Sequence, residues 1–252
     1  MNAMSEHDVS EHRNKLVVKS NELIQKTRYS LSVQEQKIIL YLISMIKPTD
    51  EKFQIYQLSM GELCEICGIT QNGKNYYRFR ESIKSLADKS FWISTPERDI
   101  LMRWIEHVEI VKRDKVVEIR IDDTLKPYLL ALKDNYTQYE LGYVLVLKSK
   151  HSIRLYEMLK SYAYIGEKDY SLDDLKNSLQ IEGYDEFRYL KRDIIDKAVS
   201  EINTYTDLQI TYKTYRAGRS IKGLIFGILK KSNIEQVALR VKRNVLLDTK
   251  EN

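Results

Sequence analysis

The sequence repeats itself. A displacement of 112 residues lays Ser59 on Ser171, Leu63 on Leu175, Cys67 on Leu179 and Ile69 on Ile181. A displacement of 111 then lays Phe79, Ile83 and Ala87 on Leu190, Ile194 and Ala198. A period this long is not that of a solenoid, whose units run to a few tens of residues. It points to two copies of one small domain. The short helix of the first copy opens on a capping box, Ser59-Met-Gly-Glu62. The serine accepts from a backbone N–H and the glutamate reaches back. Ser171-Leu-Asp-Asp174 is the same device with aspartate last. In both copies a turn, a longer amphipathic helix and antiparallel strands follow. That order predicts an α+β chain of two tandem winged-helix (helix-turn-helix) domains.

The expected division is a flexible arm over 1–19, a first winged-helix domain over 20–135, a second over 136–232 and a charged tail over 233–252. Asn21 to Lys26 reads as a short helix. A capping box, Ser32-Val-Gln-Glu35, starts a helix that carries Ile38, Ile39, Leu42, Ile43, Met45 and Ile46 and stops at Lys47-Pro48. Phe53 to Leu58 alternates as a strand, and the Ser59 helix ends at Gly68. Thr70 to Lys74 is a turn with Asn72-Gly73 at its tight point. A helix over 75–89 is followed by strands at Phe91–Ser94, Leu101–Val111 and Val116–Ile121, the last two joined by Lys112-Arg-Asp-Lys115. Asp122 to Lys133 holds a short helix with Pro127 near its start. Tyr136 to Lys150 fits either a helix or a connector. Ser152 to Tyr164 is a helix with Ile153, Tyr156, Leu159 and Ala163 on one stripe. The Ser171 helix is read as closing at Gly183. The tail is helical or disordered.

The richest stretch runs from Tyr184 to Lys231. A helix over 185–203 puts Phe187, Leu190, Ile194, Ala198 and Ile202 on one apolar stripe. Lys191 lies at its edge, while Tyr189 and Arg192 point away near the N-terminus. Strands at Leu208–Tyr215 and Ile221–Leu229 flank the turn Arg216-Ala-Gly-Arg-Ser220, where Gly218 is free to take positive φ. From Leu208 to Ile234 no acidic residue occurs, yet Lys213, Arg216, Arg219, Lys222, Lys230 and Lys231 do. A helix with a basic leading end suits the major groove, and a basic hairpin behind it suits the flanking phosphates. Lys191 and Arg192 could each donate to guanine O6 and N7. Lys213, Arg216, Arg219 and Lys222 are candidate phosphate contacts. In the first copy Lys74, Tyr77, Arg78 and Arg80 open the corresponding helix and are candidates for the same role. The competing reading is a solvated helix face and a hairpin whose charges keep a sheet edge soluble.

Composition sets the frame. With 252 residues, 43% hydrophobic, the chain can build two cores, and a net charge of +5 makes it only mildly basic. The local acid-free run is thus the stronger sign of nucleic acid. No apolar run is long enough for a membrane span. The segment 1–19 is polar, so no leader is expected and the setting is read as cytoplasmic. Cys64 and Cys67 have half of a zinc-site spacing, but a structural site needs four ligands and no second cysteine pair exists. Core packing is the expected role. His7, His12, His107 and His151 form no metal-binding cluster, and neither a phosphate-binding G-x-x-x-x-G-K-[ST] loop nor a Gly-x-Ser-x-Gly elbow is present. No cofactor and no catalysis are expected.

Several stretches resemble the winged-helix plasmid replication initiators that bind iterons. They are Asn14-Lys-Leu-Val-Val18 with Ser20-Asn-Glu-Leu-Ile24, Leu31 to Ile39, Leu125-Lys-Pro-Tyr-Leu129 with Tyr136-Thr-Gln-Tyr139, Ser152-Ile-Arg-Leu-Tyr-Glu157, and Phe187 through Glu201-Ile-Asn203. The resemblance covers roughly residues 14 to 231. It implies that monomers bind repeats at a plasmid origin and that dimers bind an inverted repeat at the gene's own promoter. It implies stronger base contacts from the second domain, a first domain that serves either DNA or dimerisation, and recruitment of the host helicase and its loader. By position it assigns base reading to Arg188, Tyr189, Lys191 and Arg192, with Asp193 a departure from a more basic run. The alternatives are a winged-helix transcription regulator with no replication role and a protein–protein docking scaffold.

Overall fold

A computed structural model describes residues 13–68, 73–95 and 97–248. Strand β1 (Leu16–Ser20) leads into helices α1 (Asn21–Lys26) and α2 (Val33–Ser44). The first copy follows as β2 (Ile55–Ser59), α3 (Met60–Cys67), α4 (Gly73–Asp88), a ribbon of β3 (Ser90–Ser94) and β4 (Asp99–Arg103), and the hairpin β5 (Ile105–Val111) and β6 (Val116–Ile121). A 3-10 turn (Asp123–Leu125), α5 (Lys126–Leu129), β7 (Tyr136–Glu140), α6 (Leu141–Leu145) and α7 (Lys150–Lys160) connect the copies. The second copy is β8 (Glu167–Ser171), α8 (Leu172–Leu179), a long helix in three parts, and the hairpin β9 (Leu208–Ala217) and β10 (Ser220–Lys230). The long helix is α9 (Phe187–Leu190), a π-helical turn (Lys191–Ile195) and α10 (Asp196–Tyr205). Helix α11 (Asn233–Asp248) ends the described chain.

The two copies share one topology. The sheet of the first runs β2-β6-β5 and that of the second β8-β10-β9, all antiparallel. In each, the strand before the short helix pairs with the second strand of the hairpin. The serine caps hold as read: Ser59 accepts from Glu62 N while the Glu62 carboxylate accepts from Ser59 N, and Ser171 accepts from Asp174 N. Gly68 closes α3 in the left-handed region, φ 65°. The apolar stripes do what their spacing demands. Phe79, Ile83 and Leu86 on α4, and Leu190, Ile194, Ala198 and Ile202 on the long helix, are all buried. Helix α2 is buried along its length, and Lys37, against the back of α6, donates to Leu145 O at 2.5 Å. Cys64 and Cys67 are buried free thiols, and burial pushes Cys67 up to about 12, so it packs rather than reacts.

Several expectations need correcting. Residues 16–20 of the supposed loose arm are a strand paired with β7, because Val17 needs burial and finds it there. Leu101 to Val111 is two strands, not one: fully buried Trp104 turns the chain so that β4 pairs β3 and β5 joins β6. Tyr136 to Lys150 resolves into a strand and a short helix. Helix α8 ends at Gln180, φ 50°, three residues before Gly183. Strand β8 was not anticipated, since Glu-Lys-Asp-Tyr-Ser shows no alternation, yet it lies 112 residues after β2, bound for bound. The Thr70–Asn72 part of the first turn, Ile69 and the remainder of the arm and tail lie outside the described residues.

Helix α7 locks the two copies together. Toward the first, its fully buried Glu157 accepts from Lys19 Nζ at 2.8 Å and from Tyr139 OH at 2.6 Å. Arg154, one turn earlier, donates to the carbonyls of Ile24 and Thr27 at 2.7 and 3.0 Å and lies over the Tyr29 ring. Toward the second, Tyr156 donates to Asp207 at 2.8 Å and Lys160 pairs with the same carboxylate. Burial alone would raise the Glu157 carboxyl, but Lys19 and Arg154 outweigh it and hold it below the usual range.

The tail is a docked helix. Arg240 and Arg243 of α11 both pair with Glu140 at the end of β7, Arg243 at 3.0 Å. Arg243 is sealed from solvent, donates to Asn14 Oδ1 at 2.9 Å and lies over the Tyr143 ring. It fits only because residue 142 is glycine: a Cβ there would stand 2.6 Å from the guanidinium carbon.

Two outcomes follow from these contacts. Lys19→Met leaves a buried carboxylate unpaired and should cost about 3–5 kcal/mol in denaturant unfolding; a loss below ~1 kcal/mol would contradict the buried pair. Gly142→Ala should displace Arg243, cost about 2 kcal/mol and open α11 to trypsin at Arg240, Lys242 and Arg243. An unchanged digest would show that the helix is held by other means. The pH dependence is also fixed in sign. Glu140 and Glu157 both sit below their unfolded value of about 4.3. The stability they add is complete above that value and is lost as pH falls through their folded values. The thermal midpoint should therefore be level from neutral pH down to about pH 5 and drop steeply below about pH 4.

Candidate nucleic-acid interface

The second copy builds a helix and a hairpin into one rigid piece. Asn203 near the end of α10 donates to Ile210 O at 2.8 Å and accepts from Ile210 N at 2.6 Å, so the helix end is stitched to β9. Lys231 donates to the terminal carbonyls Asn203 O and Thr206 O, as a cation at a helix C-terminus should. Lys231 is therefore a structural cation rather than part of a binding surface. Further along the helix, Asp196 accepts from Tyr212 OH of β9 and from Lys191 at 2.7 and 2.9 Å. Burial would raise Asp196, but Lys191 and Tyr212 outweigh it and lower it.

The π turn matters to that geometry. Residues five apart in an α-helix point about 140° away from each other. The wider turn over Lys191–Ile195 brings Lys191 and Asp196 to one side, and Lys191 lies 5.8 Å from the Tyr212 ring. It also leaves both Ile194 and Ile195 buried, so the basic side chains between Arg188 and Arg192 are pushed outward.

All four candidate readers are exposed, Arg188, Tyr189 and Arg192 clustered together and Lys191 turned toward β9. Arg188 and Arg192 lie over the same ring, that of Tyr189, at 4.6 and 5.2 Å from its centroid. Arg192, 67% exposed at its side chain, makes a two-pronged pair with Asp193, Nε to Oδ1 at 2.9 Å and Nη2 to Oδ2 at 2.8 Å. Arg188 pairs with Glu186 at 2.9 Å. Asp193 is lowered first by its bond to Arg192, and Arg192 is raised by the same bond.

The hairpin behaves differently. Its register runs from Leu208↔Lys230 to Ala217↔Ser220, leaving a two-residue turn, Gly218-Arg219. Gly218 takes φ 61° and Arg219 does not take positive φ, the pattern of a type II′ turn. The strands thus run further than their hydrophobic pattern suggests, and Arg216 is a strand residue. Lys213, Arg216, Arg219 and Lys222 are exposed, and among the described residues none forms an ion pair with a carboxylate. Helix and hairpin touch at Tyr212 on β9, which meets Lys191 and Asp196; Arg216 shares the sheet face of Tyr212, while Lys213 is on the opposite one.

In the first copy, Tyr77, Arg78 and Arg80 are exposed on α4 while the side chain of Lys74 lies outside the described residues. The displacement that sets Phe79 on Leu190 sets Arg80 on Lys191 and Tyr77 on Arg188. The hairpin of this copy ends in Lys112, Arg113, Asp114 and Lys115, all exposed, with Lys115 at φ 53°. Those three cations occupy the place that Arg216 and Arg219 hold in the second copy. The turn is legible in the sequence; its equivalence to the second hairpin appears once the repeat is carried through to the strands.

Comparison with known proteins agrees with this architecture. Residues 16–160 match the family described as Initiator Replication protein, WH1, and residues 171–228 match Initiator Rep protein, WH2. The chain is 24% identical over 225 residues to a replication initiation protein of Escherichia coli, a match covering 84% of this chain and 69% of that one. It is 28% identical over 152 residues to the PI protein of Escherichia coli, covering 53% of this chain and 50% of that protein. Among solved structures, domains 2 and 3 of RctB align with a TM-score of 0.46 at 13% identity over 84% of this chain and 88% of that one. With both winged-helix units matched in order, over more than half of its length, the chain belongs to the replication initiator protein family.

Proposed function

We propose that this protein starts plasmid replication by binding repeated duplex sites at the origin, without catalysis of its own. The long helix of the second copy enters a major groove, where Arg188, Tyr189, Lys191 and Arg192 meet base edges. The hairpin carrying Lys213, Arg216, Arg219 and Lys222 grips the flanking backbone, which fixes register without reading sequence. The first copy lies on the adjoining turn and uses Tyr77, Arg78 and Arg80, with Lys74, against phosphates. The observation that supports this reading is the joint at Tyr212, which ties the helix bearing the exposed basic residues to the acid-free basic hairpin. The division into an arm, two winged-helix domains (20–135 and 136–232) and a tail belongs to this proposal, with residues 16–19 moved from the arm into β1 and α7 as the joint. So do a second copy of the chain as dimer partner on the gene's own promoter, recruitment of host helicase and loader, and a cytoplasmic setting.

The test compares two substitutions on a repeat-bearing duplex and a random duplex. Arg192→Ala should weaken binding to the repeats roughly ten-fold or more and leave random DNA nearly unchanged. Arg219→Ala should weaken both alike and lower the slope of log affinity against log salt by about one. Equal losses for the two variants on all sequences would mean that the helix is not the reader. A plasmid maintenance assay with the same variants links binding to replication.

A further inference from the structure

The cations on the two DNA-facing elements are treated in opposite ways. On the hairpin, Lys213, Arg216, Arg219 and Lys222 have no carboxylate partner among the described residues. On the helix, each of the three basic candidate readers carries one: Arg188 has Glu186, Lys191 has Asp196, and Arg192 has Asp193. Exposed pairs of this kind contribute little to folding stability; Asp196 also joins the helix to Tyr212, but no such joint accounts for the pairs of Arg188 with Glu186 and Arg192 with Asp193.

We propose that Asp193 is a positioning residue for Arg192 and sets the protein's preference for base edges over phosphate. This rests on the reading that the long helix faces DNA. A guanidinium has five N–H groups. Asp193 takes the side edge, Nε–H and one Nη2–H. The end edge, one N–H on each terminal nitrogen, stays free and has the parallel geometry that guanine O6 and N7 accept. The Tyr189 ring beneath the guanidinium restricts it from a second side. Arg192 is thus held with one bidentate edge outward.

The charge argument points the same way. A base edge carries no net charge and can dock against an arginine whose charge Asp193 offsets at 2.8 Å, Lys197 lying further from the same carboxylate at 3.8 Å. A phosphate approaching the same arginine meets the Asp193 carboxylate at close range, and like charges repel. Asp193 therefore penalises backbone contact and spares base contact. The unpaired hairpin cations carry the phosphate binding instead.

The experiment uses the full chain with Asp193→Asn, which keeps the shape and removes the charge, and Asp193→Ser as a second variant should the first fold poorly. Affinity is measured on a duplex selected by the wild-type protein from random DNA and on a random duplex of equal length, across a salt series. For Asp193→Asn we expect binding to the random duplex to tighten several-fold. Binding to the selected duplex should weaken several-fold, so that their ratio falls about ten-fold or more. The salt slope on random DNA should steepen by about one. In an Arg192→Ala background the same change should leave the ratio as it is, since Asp193 acts through Arg192, and Asp193→Glu should restore part of it. If Arg192→Ala collapses the ratio but Asp193→Asn leaves it intact, or shifts both duplexes in parallel, this inference is wrong while the DNA-facing helix stands. If Arg192→Ala itself leaves the ratio untouched, the reading of the helix fails first and takes the inference with it.

Discussion

Two winged helices read adjoining stretches of DNA only if the angle between them is fixed, and here that angle depends on one helix. Helix α7 presents Glu157 and Arg154 to the first copy and Tyr156 and Lys160 to the second. A buried carboxylate is unfavourable unless it is paired and fully hydrogen-bonded. Glu157 is so satisfied where β1, β7 and α7 meet, which seats α7 firmly on the first copy; the hold on the second copy comes from Asp207, which accepts from Tyr156 and pairs with Lys160. Glu201 of α10 reinforces the joint by accepting from Lys148 N and Ser149 N at the start of α7. The long helix is thereby tied to α7 at Glu201 and, through the turn after its last residue, at Asp207.

The same economy recurs in the second copy. Asp196 unites Lys191 of the long helix with a hairpin tyrosine, and Asn203 unites the helix end with a strand. Polar side chains here do the joining that apolar ones do in the core. The consequence is that the helix and hairpin present one surface rather than two mobile ones, and preorganisation of that kind lowers the entropic cost of binding.

Much of this was legible before any coordinates. The 112-residue displacement gives the duplication, the serine caps give the helix starts, and the Arg216–Ser220 turn gives the second hairpin. What escaped depended on partners distant in sequence. Strand β8 is polar and shows no alternation; it forms because β10 offers an edge, and only the displacement from β2 announces it. Arg240 and Arg243 read as tail charges, yet they are docked because Glu140 and Asn14, about a hundred and more than two hundred residues away, receive them. Asp193 read as a departure from a basic run. Its two-pronged contact with the neighbouring Arg192 depends on side-chain direction, which composition does not carry.

The central claim is that Arg192 meets a guanine edge in the major groove while the Gly218–Arg219 turn holds phosphate. Interference mapping on the selected duplex addresses it directly, with guanine N7 methylation reporting base contacts and phosphate ethylation reporting backbone contacts. The account requires that one guanine's interference vanish when Arg192 is alanine, with the flanking ethylation pattern unchanged. A methylation pattern identical for wild type and Arg192→Ala, or loss confined to phosphates, would contradict it.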